Sequence, residues 1–295
     1  MATTATFERE TREEARRDRA AKGKFDWTQP FVYLIALIVV GVTVAPIVYL
    51  VIGGFRTTGQ LAAEPNALPD PWVLENYEQV LGSPTFWSQL TNSTITALAT
   101  TTGVVLLGVM AAFVLARYNF KAREGLYTLF TMGLLFPITV AIVPLYLMLQ
   151  NLGLLGSLPG IIIPQIAFQL PVTIVILVPF LRAIPAELED AASIDGTSRI
   201  GFFFRIMLPL SGPGLVTVGV LAFVSSWNAY LLPLLVLSDP TTFTLPLGVQ
   251  AFSTQYSQNT AAVLAFTTLA MLPALIFFTL AERRIVGGLT GAVKG

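Results

Sequence analysis

Residues 182–215 have the sequence RAIPAELEDAASIDGTSRIGFFFRIMLPLSGPGL and form the longest charged interruption in an apolar half of the chain. Pro185 suits the first position of a short helix, and the carboxylates that follow it would favour the positive end of the helix dipole. Gly196 is a natural left-handed stop, and a second apolar run is expected to end at Pro209. The stretch therefore predicts two short helices with a break, between two segments long enough to cross a bilayer.

The spacing within this stretch resembles the E-A-A loop of the membrane subunits of binding-protein-dependent ABC importers. In that family three residues separate an E-A-A triplet from a Gly, and nine residues then separate this Gly from an I-x-L-P sequence. The matching positions here are Asp190-Ala191-Ala192, Gly196 and Ile206-Met207-Leu208-Pro209. Asp190 departs from the family's Glu, since it keeps the charge on a shorter side chain.

The composition by itself indicates an integral membrane protein. Of 295 residues 54% are hydrophobic, the mean hydropathy is +0.72, and only 12% are charged, which is about half the usual soluble share. The formal net charge is zero, so nothing suggests a nucleic-acid partner. The chain has no Cys and no His, which removes thiol chemistry, the usual general base and the commonest metal ligand. We therefore expect no catalytic site and no metal site on this chain.

Six apolar segments are long enough to span a bilayer, which predicts an all-α integral membrane fold. They are residues 31–55, 90–116, 127–149, 158–181, 214–235 and 260–281. The third segment is expected to be kinked by Pro137 and Pro144. This divides the chain into a tail (1–30), a six-span domain (31–281, core about 90–281, with the 182–212 loop) and a second tail (282–295).

The positions of Lys and Arg predict the orientation of the spans. Sixteen of the seventeen basic residues fall on one side of the six-span arrangement, and only Arg56 falls on the other. The positive-inside rule then places both termini and the 182–212 loop in the cytosol.

Nothing in the spans suggests that the chain powers transport itself. The six segments contain no Asp, Glu, Lys or Arg, although ion-coupled carriers usually keep such residues in the membrane. The sequence also lacks G-x-x-x-x-G-K-[ST], so we expect no ATP hydrolysis and no enzyme activity on this chain. Work on a cargo would have to come from a partner docked on the cytosolic face, where 182–212 is the largest loop.

The family resemblance implies what that partner is. In the type I importers, the loop forms a coupling helix that sits in a groove on an ATPase subunit, with ATP and Mg²⁺ on that subunit. The setting implied is a second six-span permease, two ATPase subunits and an extracytoplasmic sugar-binding protein at a bacterial cytoplasmic membrane. By position, the ATPase contact would be made by seven residues: Glu187, Glu189, Asp190, Ala191, Ala192, Asp195 and Gly196. The alternative is an ordinary amphipathic helix at the membrane surface.

The C-terminal segment AERRIVGGLTGAVKG (281–295) resembles the end of the sugar-importer permeases. In that branch the tail reaches into the interface between the ATPase subunits. Gly287, Gly288 and Gly291 fit an extended, close-contact segment, whose expected contact residues are Gly288, Leu289, Thr290 and Gly291. The alternative is a frayed terminus.

A third resemblance joins Trp227-Asn228-Ala229-Tyr230 to the 244–248 segment Thr-Leu-Pro-Leu-Gly, as in the same branch. Aromatic faces and amide groups suit a polyhydroxylated cargo. The candidate residues of a substrate path are Gln165, Gln169, Trp227, Asn228 and Tyr230. For Trp227, Asn228 and Tyr230, helix packing is an equally good explanation, because polar side chains also join neighbouring spans. For Gln165 and Gln169, four apart on one face, packing is favoured for either residue alone and the path for the pair.

The function predicted from this resemblance is the membrane-spanning permease of an importer that moves a mono- or oligosaccharide into the cytoplasm. One alternative keeps the importer class and changes the cargo to a polyol, an amino sugar or glycerol phosphate. A strongly anionic cargo would require positive charge along its path, and none of the six predicted spans contains Lys or Arg. The other alternative is a helical scaffold or channel subunit that transports nothing itself.

Overall fold

The structure, a computed structural model, describes the backbone of residues 28–255 and 259–292 and the side chains of 29–250, 252–253 and 259–280. Within those residues every regular element is a helix, which confirms the all-α prediction. The helices are α1 (Thr28–Gly54), α2 (Thr58–Ala63), α3 (Glu75–Leu81), α4 (Pro84–Arg117), α5 (Arg123–Gly133), α6 (Ile138–Asn151), α7 (Pro159–Arg182), α8 (Glu187–Ile194), α9 (Arg199–Leu210), α10 (Gly212–Trp227), α11 (Leu231–Val236), α12 (Leu245–Gln255) and α13 (Thr260–Ala292).

The described helices account for four to six membrane spans. Helices α1, α4 and α7, and α13 over Thr260–Leu280, are each long and apolar enough to cross a bilayer. Two further spans are bent pairs: α5 with α6, at 100°, and α9 with α10, at 75°. Counting each pair as one span gives six, the number that the sequence predicts, although α9 lies in the predicted 182–212 loop and not in the fifth predicted segment, 214–235.

The described part of the chain divides into two compact units, one up to Tyr49 and one from Leu50 onward. The first contains most of α1, an apolar helix with Pro46 inside it. In the second, α4 packs most extensively against α7 and also against α10, and α10 packs against α13. Three apolar clusters fill the spaces between these helices, and one of them also takes in α8 and α9.

The third span is broken rather than kinked. Residues 134–137 separate α5 from α6, and Pro137, which cannot donate a backbone hydrogen bond, stands just before α6. The prediction of a bend at Pro137 is confirmed, but the bend is 100°. Pro144 lies inside α6, which continues through it, so the kink predicted there stays a prediction.

The fifth span is interrupted, which the sequence analysis did not predict. Helix α10 ends at Trp227, and the chain is non-helical over 228–230 before α11 begins. Within a continuous helix the ring of Pro233 would clash with the carbonyl of Ala229 and leave it without a donor. The interruption instead places Pro233 in the first turn of α11, where no donor is required.

A π-helical turn precedes Pro209 in α9. The N–H of Leu208 donates to the carbonyl of Phe203, five residues back, and residues 203–207 are π-helical. The wider turn relieves the clash that the ring of Pro209 would make with the preceding turn. The helix therefore continues to Leu210, and the predicted stop at Pro209 is wrong by one residue.

The last helix also differs from prediction. Helix α13 is continuous through Ala292, so the expectation of an extended backbone at Gly287, Gly288 and Gly291 is wrong. The side chains of 281–295, with the predicted contact residues among them, lie outside the described part of the chain, as do residues 1–27 of the predicted N-terminal tail.

Arg56, the exception to the charge asymmetry, is a structural residue. Its side chain is only 2% exposed. The guanidinium donates to the carbonyls of Pro65 and Gln60, each at 2.9 Å, and also to that of Glu64. These are carbonyls at and just beyond the end of α2, where a cation is favoured. The charge therefore holds the loop after α1 in place.

Candidate functional site

Helix α8 is a separate element between α7 and α9. Pro185 lies two residues before its first residue, Glu187, so the predicted start is slightly early. At its end the N–H of Thr197 donates to the carbonyl of Ala192 at 2.9 Å, and that of Gly196 to Ser193 at 3.1 Å. This is a Schellman arrangement, and it requires a left-handed residue at Gly196, whose φ is +75°. The predicted left-handed stop is confirmed.

The two faces of α8 have opposite roles. Ala192 is 5% exposed and packs into an apolar cluster with residues of α4, α7 and α9. Four residues spaced i, i+3, i+4 and i+7 are exposed on the opposite side. This outer face of α8 consists of Glu187, Asp190, Ala191 and Ile194. Ile194, which is 87% exposed, was missed by the sequence analysis, although its spacing from Glu187 was visible.

The other predicted loop residues are divided between the two sides. Asp195 and Gly196 are exposed at the end of α8. Glu189 is half-buried and lies close enough to Tyr118 for its charge to act on the phenol. Burial first, and then the negative charge of Glu189, raise the pKa of Tyr118, while the charge of Arg199 opposes the shift. Glu189 and Ala192 therefore face the spans rather than a partner.

Hydrogen bonds and apolar packing attach this loop to the spans. The guanidinium of Arg117, the last residue of α4, donates to the carbonyl of Ile184 at 2.7 Å. Arg182, the last residue of α7, stands over the ring of Tyr127 at 5.8 Å from its centroid. Ala192 packs in the same apolar cluster as residues of α4, α7 and α10, so α8 is attached to several spans at once.

Gln165 joins three spans. Its Oε1 accepts hydrogen bonds from Thr100 Oγ1 of α4 at 3.1 Å and from Ser226 Oγ of α10 at 2.6 Å. The side chain is buried, and its Nε2 has no partner among the described residues. This geometry fits the packing explanation for Gln165, because interhelical hydrogen bonds of this kind hold spans together.

The interruption after α10 lies level with the interior of α7, one of the helices long and apolar enough to cross a bilayer. Gln165 is the seventh residue of α7, about 9 Å from the start of that helix. Ser226 contacts Gln165, so the non-helical residues that follow Ser226 lie at a similar depth. Irregular backbone at that depth is found where it is buried in protein or lines a water-filled cavity.

The interruption exposes some of the candidate path residues and buries others. Asn228 is exposed, and its amide donates to the carbonyl of Val224 at 2.9 Å. Tyr230 is half-buried and donates to Gln250 of α12, a residue that the sequence analysis did not single out. Trp227 is only 4% exposed and stacks on Phe223. Gln169 is half-buried, one turn along α7 from Gln165.

The Thr-Leu-Pro-Leu-Gly segment is fixed to the start of α4. The hydroxyl of Ser93 accepts from the N–H of Leu245 at 2.7 Å. Four polar residues at i, i+1, i+4 and i+5 in α4 bond to the backbone of 240–245: Ser88, Gln89, Asn92 and Ser93. This run of polar side chains at helical spacing near the start of α4 is the sequence signal for the contact, and it was missed.

The comparisons with known proteins agree with this architecture. Residues 104–287 match the family described as binding-protein-dependent transport system inner membrane component. The chain is 35% identical over 251 residues to the diacetylchitobiose uptake system permease protein of Streptomyces coelicolor, covering 84% of this chain and 83% of that protein. It is 34% identical over 261 residues to the trehalose transport system permease protein of Mycobacterium tuberculosis, covering 88% and 95%.

A solved structure shows the same fold. The crystal structure of a bacterial ABC transporter involved in the import of the acidic polysaccharide alginate matches 88% of this chain and 98% of the compared chain. The TM-score is 0.75 and the sequence identity is 19%.

Proposed function

The chain belongs to the binding-protein-dependent transport system inner membrane component family, and from that premise we propose that it carries a sugar across the membrane. It is a multi-pass permease subunit of an ABC importer in the cytoplasmic membrane. The observation that carries the mechanism is the outer face of α8, an exposed acidic surface on a helix whose other face is packed against the spans.

The outer face of α8 is the proposed docking surface for an ATPase subunit. Two carboxylates, Glu187 and Asp190, flank a small residue, Ala191, that allows close approach. Ile194 adds an exposed apolar side chain that a partner groove would cover. Basic groups on the partner would pair with the carboxylates, and the Schellman end at Gly196 keeps the helix short. The contact set is thus Glu187, Asp190, Ala191 and Ile194, with Asp195 and Gly196 beside it.

The orientation that this requires places α8 and both termini in the cytosol, as the charge asymmetry favours. ATP and Mg²⁺ would then bind on the partner, because this sequence has no G-x-x-x-x-G-K-[ST]. The assembly comprises this subunit, a second permease, two ATPase subunits and an extracytoplasmic binding protein. The tail residues Gly288, Leu289, Thr290 and Gly291 would also contact the ATPase subunits.

For the cargo, we propose a neutral mono- or oligosaccharide that passes the interruption at 228–230. Asn228 offers an exposed amide there, and Tyr230 and Gln250 offer a phenol and a carboxamide at its other end. On α7, Gln169 remains a candidate for contact with the cargo. Gln165 and Trp227 are buried, and they support the residues that line the path. The named relatives are both sugar permeases, which supports the sugar class.

The docking proposal is tested by co-purification. A tagged chain from its native host should bring an ATPase subunit and a second permease with it. Asp190→Lys should lose the ATPase and keep the permease, because it reverses the charge on the outer face of α8. The matched control is Glu124→Lys, which reverses a carboxylate that is 78% exposed at the start of α5, outside that face. Equal loss of the ATPase in both variants, or recovery of the chain alone, would contradict the proposal.

The cargo is tested by growth and uptake. A deletion strain is supplied with single neutral mono-, di- and oligosaccharides, then complemented with wild type or Asn228→Leu. We expect wild type to restore uptake of one sugar or a small group of related sugars, and Asn228→Leu to reduce that uptake while the ATPase still co-purifies. Restored uptake of a polyol or glycerol phosphate instead would change the cargo, and no restored uptake would favour a scaffold subunit.

A further inference from the structure

A groove lies between the end of α4 and the first half of α9. Its volume is about 390 Å³, which is within the range of small-ligand sites. The lining is Met110, Phe113, Val114, Tyr118, Arg199, Ile200, Phe203 and Phe204. Six of these eight residues are aliphatic or aromatic hydrocarbons or Met, and the two polar groups are the phenol of Tyr118 and the guanidinium of Arg199. The site is therefore apolar with a small polar part.

The polar part is concentrated in one pair of residues. The guanidinium of Arg199 stands over the ring of Tyr118, 5.2 Å from its centroid. Phe113 and Phe203 are buried and pack on each other at 4.9 Å between centroids, forming the floor. The groove therefore suits an amphiphilic ligand, because apolar side chains line most of it and the guanidinium of Arg199 lies at one place.

Tyr118 supplies a second observation. Its hydroxyl oxygen is buried and has no hydrogen-bond partner among the described residues. Burial and then the nearby charge of Glu189 raise the pKa of Tyr118, so the phenol is neutral and does not compete with an anion. The hydroxyl has almost no surface in the groove, so an anion there would meet the exposed guanidinium of Arg199.

The groove is continuous with the surface that α4 presents to the lipid. Leu106, Leu107, Met110 and Val114 are exposed apolar residues along the last turns of α4. Arg117 ends the helix and Tyr118 caps it, so the polar pair lies at the membrane boundary. Lys121 and Arg123 follow at once in the chain. In the proposed orientation this boundary faces the cytosolic leaflet, where anionic lipids attract basic segments.

We propose that the groove binds an anionic phospholipid, with one acyl chain along Val114 and Phe204 and the phosphate at Arg199. The charge of Arg199, which is exposed, selects an anionic headgroup. The apolar walls accept the chain directly from the lipid that surrounds α4. The bound lipid fills the space between α4 and α9, so it bears on the element that follows α8. This site is independent of which cargo the permease carries.

The absence of Cys in this chain allows a direct test. A single Cys at Ile200→Cys, on the groove lining, carries a small fluorophore in the assembled importer, whose partner subunits are made Cys-free. The control position is Leu98→Cys, exposed on α4 and three turns before the groove. Nanodiscs contain a small fraction of phosphatidylglycerol or phosphatidylcholine with a nitroxide on the acyl chain, and quenching of the fluorophore reports lipid proximity.

We expect phosphatidylglycerol to quench at position 200 about fivefold more effectively than phosphatidylcholine, the selectivity that one basic residue gives near a membrane surface. At position 98 the two lipids should quench equally. Arg199→Gln should abolish the preference, and Val114→Trp should lower quenching by filling the groove. Arg205→Gln should preserve the preference, because Arg205 is exposed on the same helix and does not line the groove.

Three results would overturn the proposal. Equal quenching by both lipids at position 200 would show that the site does not select an anion. Equal loss of preference in Arg205→Gln and Arg199→Gln would assign the effect to general surface charge. A fluorophore at position 200 shielded from both lipids would show that a partner subunit covers the groove. Variants are compared only after thermal unfolding shows that they are folded, and ATPase co-purification separately reports the docking proposal.

Discussion

The hydroxyl oxygen of Ser226 lies 2.6 Å from Oε1 of Gln165, and this contact ties the last turn of α10 to α7 just before the fifth span is interrupted. Both side chains are buried, and Thr100 of α4 donates to the same oxygen. A polar contact among three helices therefore lies directly before the interruption.

Removing either side of that contact should destabilise the protein modestly. Interhelical hydrogen bonds in membranes contribute about 0.6 kcal/mol on average and at most about 1.7 kcal/mol, so we expect Ser226→Ala and Gln165→Leu to fall in that range. A double-mutant cycle should give a coupling free energy of similar size, measured by unfolding in detergent. Ser225→Ala, at the exposed neighbouring position, is the control. Additive effects of the two changes would show that the contact contributes nothing.

The second prediction concerns Gly248, the last residue of the Thr-Leu-Pro-Leu-Gly segment. A β-carbon on Gly248 would lie 2.0 Å from Oε1 of Gln89. We expect Gly248→Ala to lower the free energy of unfolding by about 1–3 kcal/mol through overpacking. Combining it with Gln89→Ala should restore most of that loss, since the clashing atoms are removed. Failure of the combined variant to recover would place the strain elsewhere in the contact between α12 and α4.

At Gly196 the backbone itself sets the prediction. A side chain at φ +75° costs about 1–2 kcal/mol, so Gly196→Ala should destabilise the end of α8 by that amount. The matched control is Gly212→Ala, because Gly212 lies in α10 and a β-carbon there would have no neighbour within 4 Å. Both variants are compared by thermal unfolding and by the amount of ATPase recovered. An equal effect of the two changes would exclude a conformational requirement at Gly196.

Arg56 should be important for stability despite lying far from the other basic residues. Arg56→Met leaves the carbonyls of Gln60, Glu64 and Pro65 without their donor, which we expect to cost about 2–3 kcal/mol. Arg56→Lys should recover only part of that loss, because a single ammonium cannot match the planar fork. Unfolding in detergent measures both variants. Stability unchanged in Arg56→Met would mean that water replaces the guanidinium.

The carboxylate of Asp239 should titrate below the ordinary range. The backbone N–H of Thr241 and then its hydroxyl, each at 2.8 Å, lower the pKa of Asp239 from its usual 3.8. Because the folded pKa is the lower one, the stabilisation is complete above pH 3.8 and is lost as the pH falls through the folded pKa. A carboxyl NMR titration should show this midpoint, and Thr241→Val should raise it partly, since the backbone donor remains. An unchanged midpoint in Thr241→Val would show that the hydroxyl does not contribute.

The sequence predicted the helical fold and the position of the loop because apolar length and charge placement act locally along the chain. It could not distinguish the consequences of individual prolines. Pro144 remains inside α6, whereas Pro233 accompanies an interruption of the fifth span. The same residue type therefore has different consequences at the two places, and the local sequence does not show which one follows.

The candidate site shows the same division. The spacing around Asp190 and Gly196 located α8 and its end. Ala191 and Ala192 are the same amino acid, however, and only the structure shows that Ala192 is packed and Ala191 is exposed. Gln165 and Gln169 suggested a polar path, and the structure engages Gln165 in a contact between helices. Which residue of each pair is buried depends on tertiary packing, and this cannot be inferred from the neighbouring residues in the sequence.

Helices α9 and α10 meet at a bend of 75°. The bend is at Ser211, which is fully buried and whose hydroxyl donates to the carbonyl of Met207. Because the two helices meet nearly at right angles, a force along α9 would rotate α10 about Ser211 and would not translate α10 along its own axis. Helix α10 has 16 residues, a lever arm of about 24 Å, so a small rotation at Ser211 gives its largest displacement at Asn228.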